Sequence, residues 1–336
     1  MKTLIIAEAG VNHNGDLDLA IDLINAAADA GADYVKFQTF KSEEGLSKHA
    51  VQADYQVINT GQKETQLEMV QRLELKQEDH YQLIDHCEKR GIKFLSTGFD
   101  IPSIIFLRSL NLDMFKIPSG EITNLPLLRL IAGYNATIIL STGMSTLNDI
   151  EAAINVLVQN GTEKANITIL HCTTEYPAPF EEINLRVLST IRDRFNLDVG
   201  YSDHSLGILV PVSAVALGAT VIEKHFTLDQ NLPGPDHKAS LEPDQLKQMV
   251  DSIRDVEVIL GSAEKIVTAS EKKNSLVARK SLVAKRLIKK GDMFSEDNIT
   301  AKRPGTGISP MRYDEALTIR APRDFQPDDL IEFSGT

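Results

Sequence analysis

Cysteine is scarce in this sequence. Only Cys87 and Cys172 occur among its 336 residues. Two cysteines allow one disulfide bond at most, and their spacing matches no cysteine-based zinc site. The sequence therefore excludes a scaffold held by several disulfides, and we interpret Cys172 as a small packed side chain.

The sequence has fewer basic residues than acidic ones. Lysine and arginine total 35 against 47 aspartates and glutamates, which gives a formal net charge of −12. A general nucleic-acid binder needs a basic face for phosphate contacts, so this class is disfavoured. An anionic ligand would have to be held by a local cluster of basic side chains that works against the overall field.

Long apolar runs are missing as well. The N-terminal stretch MKTLIIAEAG has one lysine, and its apolar run stops at Glu8. That run is too short for a signal peptide and far too short to span a bilayer. We interpret it as a first buried strand and expect a cytoplasmic protein with no membrane partner.

Short apolar runs alternate with amphipathic helical patterns over the first 260 residues or so. Eight such units predict an α/β fold, a (β/α)8 TIM barrel. A doubly wound open sheet also alternates, but it often has a glycine-rich phosphate turn after the first strand, and AEAGVNHNG lacks G-x-G-x-x-G. The predicted strands are residues 4–7, 34–38, 93–96, 114–117, 137–140, 167–171, 198–201 and 221–224.

The residue pattern of the sequence changes after the predicted barrel. We assign residues 1–262 to the barrel, the polar, lysine-rich residues 263–278 to a linker, and residues 279–336 to a small β-rich module. The module has short strand patterns separated by Gly and Pro residues. It is too small to bury much surface alone, so we expect it to dock on something.

Polar side chains cluster where the predicted strands end. The carboxyl ends of barrel strands form one rim, and barrel enzymes build their sites there. The rim is therefore the predicted site. Its polar residues include Glu8, Lys36, Gln38, Thr97, Lys116, Ser119, Ser141, Thr174, Tyr176, Ser202, His204 and His225.

His204 and His225 follow consecutive predicted strands, seven and eight. Neighbouring strands lie about 4.8 Å apart, so two imidazoles at equivalent positions along them can bind one metal ion. With oxygen-bearing neighbours and no cysteine, the pair suits Mn²⁺, Mg²⁺, Fe²⁺ or Co²⁺. The alternative is two hydrogen-bonded rim histidines without a metal. Asp203 is either a partner that orients an imidazole or a plain loop acid.

Lys36 and Lys116 end the second and fourth predicted strands. Two ammonium groups among hydroxyl donors make a cradle for phosphate or carboxylate. Two alternatives stay open at this point. One lysine could pair structurally with a rim acid such as Glu121, or it could act as a Schiff-base nucleophile in a metal-independent aldolase.

Glu8 and Glu121 are rim carboxylates that can handle protons, hold a sugar hydroxyl, or simply form ion pairs. Arg303 lies in KRPGTG of the C-terminal module, and this position by itself predicts an ordinary surface arginine.

The chain resembles the sialic acid synthase family from end to end, with an antifreeze-like (SAF) C-terminal domain. Ten motifs in order carry the resemblance: IIAEAGVNHNG, DYVKFQTF, FLSTGFD, FKIPSGEITNLP, ILSTGMS, LHCTTEYPAPFEEINL, VGYSDHSLG, VALGATVIEKHFTLD, GPDHKASL and KRPGTG. The resemblance implies condensation of phosphoenolpyruvate with an N-acetylated hexosamine aldehyde and release of phosphate.

The same resemblance implies roles for individual residues. The metal, usually Mn²⁺ with Mg²⁺ or Co²⁺ as alternatives, would be held by His204 and His225. From the chemistry of the rim we expect Glu121, Lys116 and Glu8 to be the catalytic residues, with Glu121 handling protons. Arg303 resembles an arginine that one subunit offers to the other barrel in a domain-swapped homodimer. The implied phosphoenolpyruvate contacts are Lys36, Thr97, Lys116, Ser119, Ser141 and Ser202, to which we add Thr174, and the implied sugar contacts are Gln38, Glu121, Tyr176, Asp236 and Arg303.

Some motifs depart from N-acetylneuraminate synthases. Thr174 stands where those enzymes commonly carry asparagine, and Gly98 stands where they carry proline. TTEYPAP and GPDHKASLEP are closer to legionaminic acid synthases, which use 2,4-diacetamido-2,4,6-trideoxymannose instead of N-acetylmannosamine. That sugar lacks a 6-hydroxyl, so one end of its pocket should be less polar. A pseudaminic acid synthase is a further alternative.

Overall fold

Eight parallel strands close into a barrel in the computed structural model, which describes residues 2–60, 64–112 and 114–333. Each strand pairs with the next along the chain, and the first pairs with the eighth. The predicted TIM barrel is confirmed. Its strands are β1 (Leu4–Gly10), β2 (Tyr34–Thr39), β3 (Lys93–Gly98), β4 (Met114–Ile117), β5 (Thr137–Ser141), β6 (Ile167–Cys172), β7 (Asp198–Asp203) and β8 (Val221–His225).

Helices connect the strands and surround the barrel. Local sequence sets where they begin and end: Asp16 accepts the backbone N–H groups of Asp18 and Leu19 at the start of α1, and Gly31 ends α1 in a left-handed conformation at φ 83°. The helices of this unit are α1 (Leu17–Ala30), α2 (Ser42–Gly45), α3 (Asp54–Thr60), α4 (Gln66–Gln71), α5 (Gln77–Arg90), α6 (Ile101–Ser109), α7 (Leu125–Ala132), α8 (Leu147–Gln159), α9 (Phe180–Ile183), α10 (Val187–Phe195), α11 (Leu209–Ala216) and α12 (Pro243–Leu260).

The observed strands start where the sequence predicts, but seven of the eight run one to three residues further at their carboxyl ends. β7 continues through Ser202 and Asp203, and β1 continues through Glu8. The apolar pattern of a strand weakens toward its polar carboxyl end, so the sequence places that end too early. In the barrel, those polar residues still pair with a neighbouring strand, so the strands carry the site residues themselves.

Alternation along the strands divides the barrel interior into two layers. Ile6, Leu95, Ile139, Leu170 and Val221 form a buried apolar cluster inside the barrel. Side chains two residues further along a strand point to the same face. Glu8, Thr97, Ser141, Cys172 and Glu223 therefore lie directly above this floor. The layer that blocks the barrel interior is thus also the base of the rim site.

A second compact unit begins at Ser262. In it, β9 (Ser281–Ala284) pairs antiparallel with β10 (Ile299–Lys302), and a small core forms around Leu282, Phe294 and Phe325. Its helices are α13 (Ala269–Ala278) and α14 (Tyr313–Ala316). No helix in the described ranges is both long and apolar enough to cross a membrane.

Asp33 joins α12 to the strand end of the barrel opposite the site. Its carboxylate accepts from the Ile5 N–H at 2.9 Å, from Arg254 at 2.8 Å and from Lys2 at 2.6 Å. Burial alone would raise the pKa of Asp33, but these three donors outweigh burial and lower the pKa.

We expect Asp33→Asn to destabilise the protein by about 1 kcal/mol at neutral pH, since the carboxylate is partly exposed and its charged bonds are screened. A lowered carboxyl pKa stabilises the fold above the ordinary aspartate pKa, and this contribution disappears as the pH falls through the folded-state value. Urea unfolding of both proteins at pH 7 and near pH 3 measures this. An equal difference at both pH values would contradict the assignment.

Candidate functional site

Two joined cavities open at the carboxyl ends of the strands. The first, which we call the basic cavity, has a volume of about 720 Å³ with its mouth included. The second, which we call the apolar-walled cavity, has a volume of about 980 Å³ measured in the same way. Gln38, Phe99, Tyr176 and His225 line both, so the cavities meet beside these residues.

The basic cavity holds most of the predicted rim residues. The strands bring them together because each lies at or near a strand end on the inward face. Its polar lining comprises Glu8, Lys36, Gln38, Thr97, Lys116, Ser119, Ser141, Thr174, Tyr176, Ser202, His204, Glu223 and His225.

A cluster of four buried charges lies at the base of the basic cavity. The Lys36 ammonium is 2.7 Å from Glu8 and 3.6 Å from Glu223, and the Lys116 ammonium is 2.9 Å from Glu223. Lys36 also donates to Thr97 at 2.9 Å, and Ser202 donates to Glu223 at 2.9 Å. Two carboxylates therefore hold the two lysine side chains in place.

The pKa values in this cluster follow from burial and the opposite charges. Burial would lower the pKa of Lys36, but Glu223 and Glu8 outweigh it and raise the pKa. Burial would raise the pKa of Glu223, but Lys116 and Lys36 outweigh it and lower the pKa. Burial raises the pKa of Glu8. A Schiff-base nucleophile needs a lowered lysine pKa, so the arrangement around Lys36 favours a clamp.

Glu223 is the central site residue that sequence reasoning missed. The alternative that a lysine pairs with a rim acid holds for both lysines, but the acid is not Glu121. Lys36 pairs with Glu8 and Lys116 pairs with Glu223, while Glu121 accepts from Asn124 at 2.6 Å. A usable signal existed. Glu223 lies two residues before His225 in one strand, so both must face the same side.

Hydroxyl groups complete the basic cavity. The Ser141 hydroxyl is buried and has no hydrogen-bond partner among the residues that the structure describes. Ser119 accepts from the Gly143 N–H at 2.9 Å. A Cβ on Gly143 would collide with the Thr174 and Ser119 hydroxyls, so glycine is needed at this close approach. Ser141 is thus available to a ligand, and Thr174 lies on the exposed rim.

His204 and His225 lie with their ring centres 5.6 Å apart. His204 Nδ1 is 2.7 Å from the Thr173 carbonyl, so Nδ1 donates and Nε2 accepts the Tyr176 hydroxyl at 3.0 Å. Burial lowers the pKa of His204 to about 4. Burial and the neighbouring His204 lower the pKa of His225 well below its ordinary value. Both rings are therefore neutral, which is the form that binds metals.

The donor set fits a divalent ion with few protein ligands. His225 Nδ1 is buried and finds no hydrogen-bond partner within the described ranges. No group of three or more His, Cys, Asp or Glu residues suited to a metal occurs in that part of the chain. Two imidazoles would thus leave the other coordination positions to water and substrate oxygens.

Asp203 does not serve as the imidazole orienter that the sequence suggested. The Thr173 carbonyl orients His204, while the Asp203 carboxylate pairs with Lys224 at 2.6 Å and accepts the Ser205 N–H at 3.0 Å. Asp203 points to the opposite face of β7 from Ser202, because side chains alternate along a strand.

The apolar-walled cavity is covered by residues 41–60 and 64–76, which we call the roof segment and which contain α2, α3 and α4. Asn59 donates to the Pro235 carbonyl at 2.7 Å, and Tyr55 stacks on Tyr176 at 5.1 Å. These contacts fasten the roof segment over the strand ends. Much of the wall is apolar, contributed by Val11, Phe40, Leu46, Met69, Val70, Leu73 and Phe99.

A few polar groups line the same cavity. Gln38 donates to Glu8 at 3.2 Å, and Glu121, Tyr176 and Asp236 also line the space. Burial, with Glu8, raises the pKa of Asp236 to about 7. The four predicted sugar contacts of the barrel unit therefore lie together. Arg303, the fifth, belongs to the second unit, in which it donates to the Ala278 carbonyl at 3.0 Å.

The fold and the rim together define a class: a TIM-barrel protein with a lysine-lined anion cavity joined to a partly apolar one. The chain belongs to the NeuB family, whose pattern matches residues 23–265, and a SAF domain matches residues 279–335. The predicted family and C-terminal domain are confirmed.

Individual relatives are similar over nearly the whole chain. The chain is 58% identical to the N,N'-diacetyllegionaminic acid synthase of Campylobacter jejuni, over 98% of this chain and 99% of that protein. It is 49% identical to the synthase of the same name from Legionella pneumophila, over 92% and 88%. A solved N-acetylneuraminic acid synthetase from Leptospira borgpetersenii superposes with TM-score 0.73 at 34% identity, covering 82% and 90%.

We expect Lys116→Met to destabilise the fold by about 3–5 kcal/mol, because Glu223 loses a buried counter-ion. Adding Glu223→Gln should recover part of that loss. Urea unfolding of the wild type, both single variants and the double variant gives the coupling. A coupling below about 0.5 kcal/mol would mean that the two residues act independently.

Proposed function

We propose that this protein condenses phosphoenolpyruvate with 2,4-diacetamido-2,4,6-trideoxymannose to give N,N'-diacetyllegionaminate and phosphate. The observation that carries the proposal is the pair of joined cavities, one lysine-lined and one apolar-walled, which meet at Tyr176 and His225. The two relatives named as N,N'-diacetyllegionaminic acid synthases support this sugar.

Phosphoenolpyruvate would occupy the basic cavity. Its phosphate and carboxylate need fixed cations and hydroxyl donors, and Lys36 and Lys116 are held there by Glu8 and Glu223. Ser141 has a hydroxyl available to the ligand. Thr97, Ser119, Thr174 and Ser202 complete the proposed contacts around the same cavity.

The sugar would occupy the apolar-walled cavity with its aldehyde toward His225. Gln38, Glu121, Tyr176 and Asp236 would bind its hydroxyl and amide groups. Its 6-methyl and second acetamido methyl need an apolar surface instead of further polar partners. Phe40, Met69 and Leu73 on and beside the roof segment offer such a surface.

His204 and His225 are the residues that would hold the divalent ion, for which we propose Mn²⁺, with Mg²⁺ or Co²⁺ as alternatives. When bound, such an ion supplies Lewis-acid polarisation of the aldehyde oxygen. The Thr173 carbonyl fixes the tautomer of His204 so that Nε2 carries the lone pair, which accepts from the Tyr176 hydroxyl beside the cavity.

The reaction needs positioning and charge stabilisation from the protein. A bond forms between C3 of phosphoenolpyruvate and the aldehyde carbon, water adds at C2, and the C2–O bond to phosphate breaks. Lys36 and Lys116 stabilise the departing phosphate. We assign the proton that reaches the aldehyde oxygen to Glu121, which lines the sugar cavity. Glu8 holds Lys36 and Gln38 in their places.

Three further parts of the proposal rest on the family resemblance: a homodimer, the contribution of Arg303 to the sugar site, and a cytoplasmic location. None of the contacts described above depends on these three parts.

A panel of three sugars tests the reaction. Phosphate release from phosphoenolpyruvate should be fastest with 2,4-diacetamido-2,4,6-trideoxymannose, and kcat/KM should be at least about tenfold lower with N-acetylmannosamine, because each apolar group in a matching pocket is worth about that much. Preference for the altrose analogue would indicate a pseudaminic acid synthase instead.

The same assay separates the proposal from a Schiff-base aldolase. EDTA should abolish phosphate release, and borohydride with substrate should leave Lys36 and Lys116 unmodified. A trapped adduct on either lysine, or full activity in EDTA, would overturn the proposed mechanism.

Met69→Gln should reduce the preference for the trideoxy sugar over N-acetylmannosamine by about tenfold, since it places an amide in the apolar wall. Met69 is buried, so the readout is the ratio of the two kcat/KM values, which a general loss of folded protein does not alter. Val51→Gln at a highly exposed position is the matched control. An unchanged ratio for Met69→Gln would show that the wall does not select the sugar.

A further inference from the structure

A completely buried ion pair lies directly behind the two histidines. Lys224 Nζ is 2.6 Å from Asp203 Oδ2, and neither side chain has any exposed surface. The two residues face each other across neighbouring strands, since Asp203 of β7 is in register with Lys224 of β8. The reaction proposed above does not use either of them.

The pair is one residue away from each histidine. His204 follows Asp203, and His225 follows Lys224. Side chains alternate, so Ser202, Glu223 and His225 face the cavity while Asp203 and Lys224 point into the layer between strands and helices. An ion pair in that layer fixes the relative height of the two strand ends without occupying the site.

A second set of bonds closes around His204. Lys224 Nζ also donates to the Ser205 carbonyl, and the Ser205 N–H donates to Asp203 Oδ1 at 3.0 Å. His204 is the middle residue of this 203–205 turn. Its backbone is therefore tied on both sides to one ammonium group that belongs to the strand carrying His225.

Burying two charges costs several kcal/mol per ion, and an apolar pair of similar volume is often as stable or more stable. A buried pair at this position is thus weak evidence for a stabilising role. It is better explained by a geometric requirement of the neighbouring imidazoles, whose ring centres lie 5.6 Å apart.

We propose that Asp203 and Lys224 are positioning residues that set the spacing of His204 and His225 as a metal-holding pair. The inference rests on the metal role assigned to these histidines in the proposed function. With only two protein ligands, metal affinity depends strongly on their mutual placement. The Thr173 carbonyl orients the His204 ring, while the Asp203–Lys224 pair sets where the His204 backbone lies. Substitution of groups behind metal ligands typically costs about 10–100-fold in metal affinity.

The test is calorimetric titration of metal-free full-length protein with Mn²⁺ alone. Lys224→Met and Asp203→Asn each leave one buried group without its partner, so both should lose stability and bind Mn²⁺ about 10–100-fold more weakly. The double variant Asp203→Leu/Lys224→Met removes both charges. It should recover stability toward the wild type but retain the weak Mn²⁺ affinity.

Asp33→Asn is the matched control. It breaks an ion pair at the opposite end of the barrel, so it should lower stability and leave the Kd for Mn²⁺ unchanged. A double variant with wild-type Kd would overturn the positioning role while leaving the proposed reaction intact. Absence of Mn²⁺ binding to the wild type, with Mg²⁺ and Co²⁺ also failing, would overturn the metal site itself and the inference with it.

Discussion

The four buried charges at the mouth of the barrel are the constraint on which the site depends. Lys36 and Lys116 are buried, and a buried ammonium group is tolerated only beside an opposite charge. Glu8 and Glu223 supply that charge from β1 and β8. The cluster therefore needs strands from both ends of the barrel sequence side by side, which only closure of the barrel provides.

Side chains alternate between the two faces of β7 and β8, and each face has a separate function. The inward face carries Ser202, Glu223 and His225 above an apolar floor, while the outward face carries Asp203 and Lys224 beneath the helices. The same two strands thus line the cavity with one face and carry the ion pair behind it on the other. This explains why a run such as YSDHS is polar throughout although all five of its residues are buried.

Sequence reasoning located all eight strands because β-branched runs between helical patterns are a strong signal. It placed the carboxyl ends too early, since hydrophobicity alone does not distinguish a buried polar strand residue from a loop residue. It missed Glu223 because Glu223 lies within a short strand and not at its polar end, where His225 stands. It expected a less polar end of the sugar pocket but identified neither Tyr55 nor the residues of the apolar wall, since the roof segment has no strand pattern to show which of its side chains reach the cavity.

The sequence by itself determined the barrel, the family and the set of rim residues, because periodicity and ordered motifs are local properties of the chain. The tertiary structure decided the pairings: Lys36 with Glu8, Lys116 with Glu223, and Lys224 with Asp203. These partners are separated by 28, 107 and 21 positions in the sequence. Ion pairing depends on distances of a few ångströms between side chains, and only the strand register brings such distant residues that close.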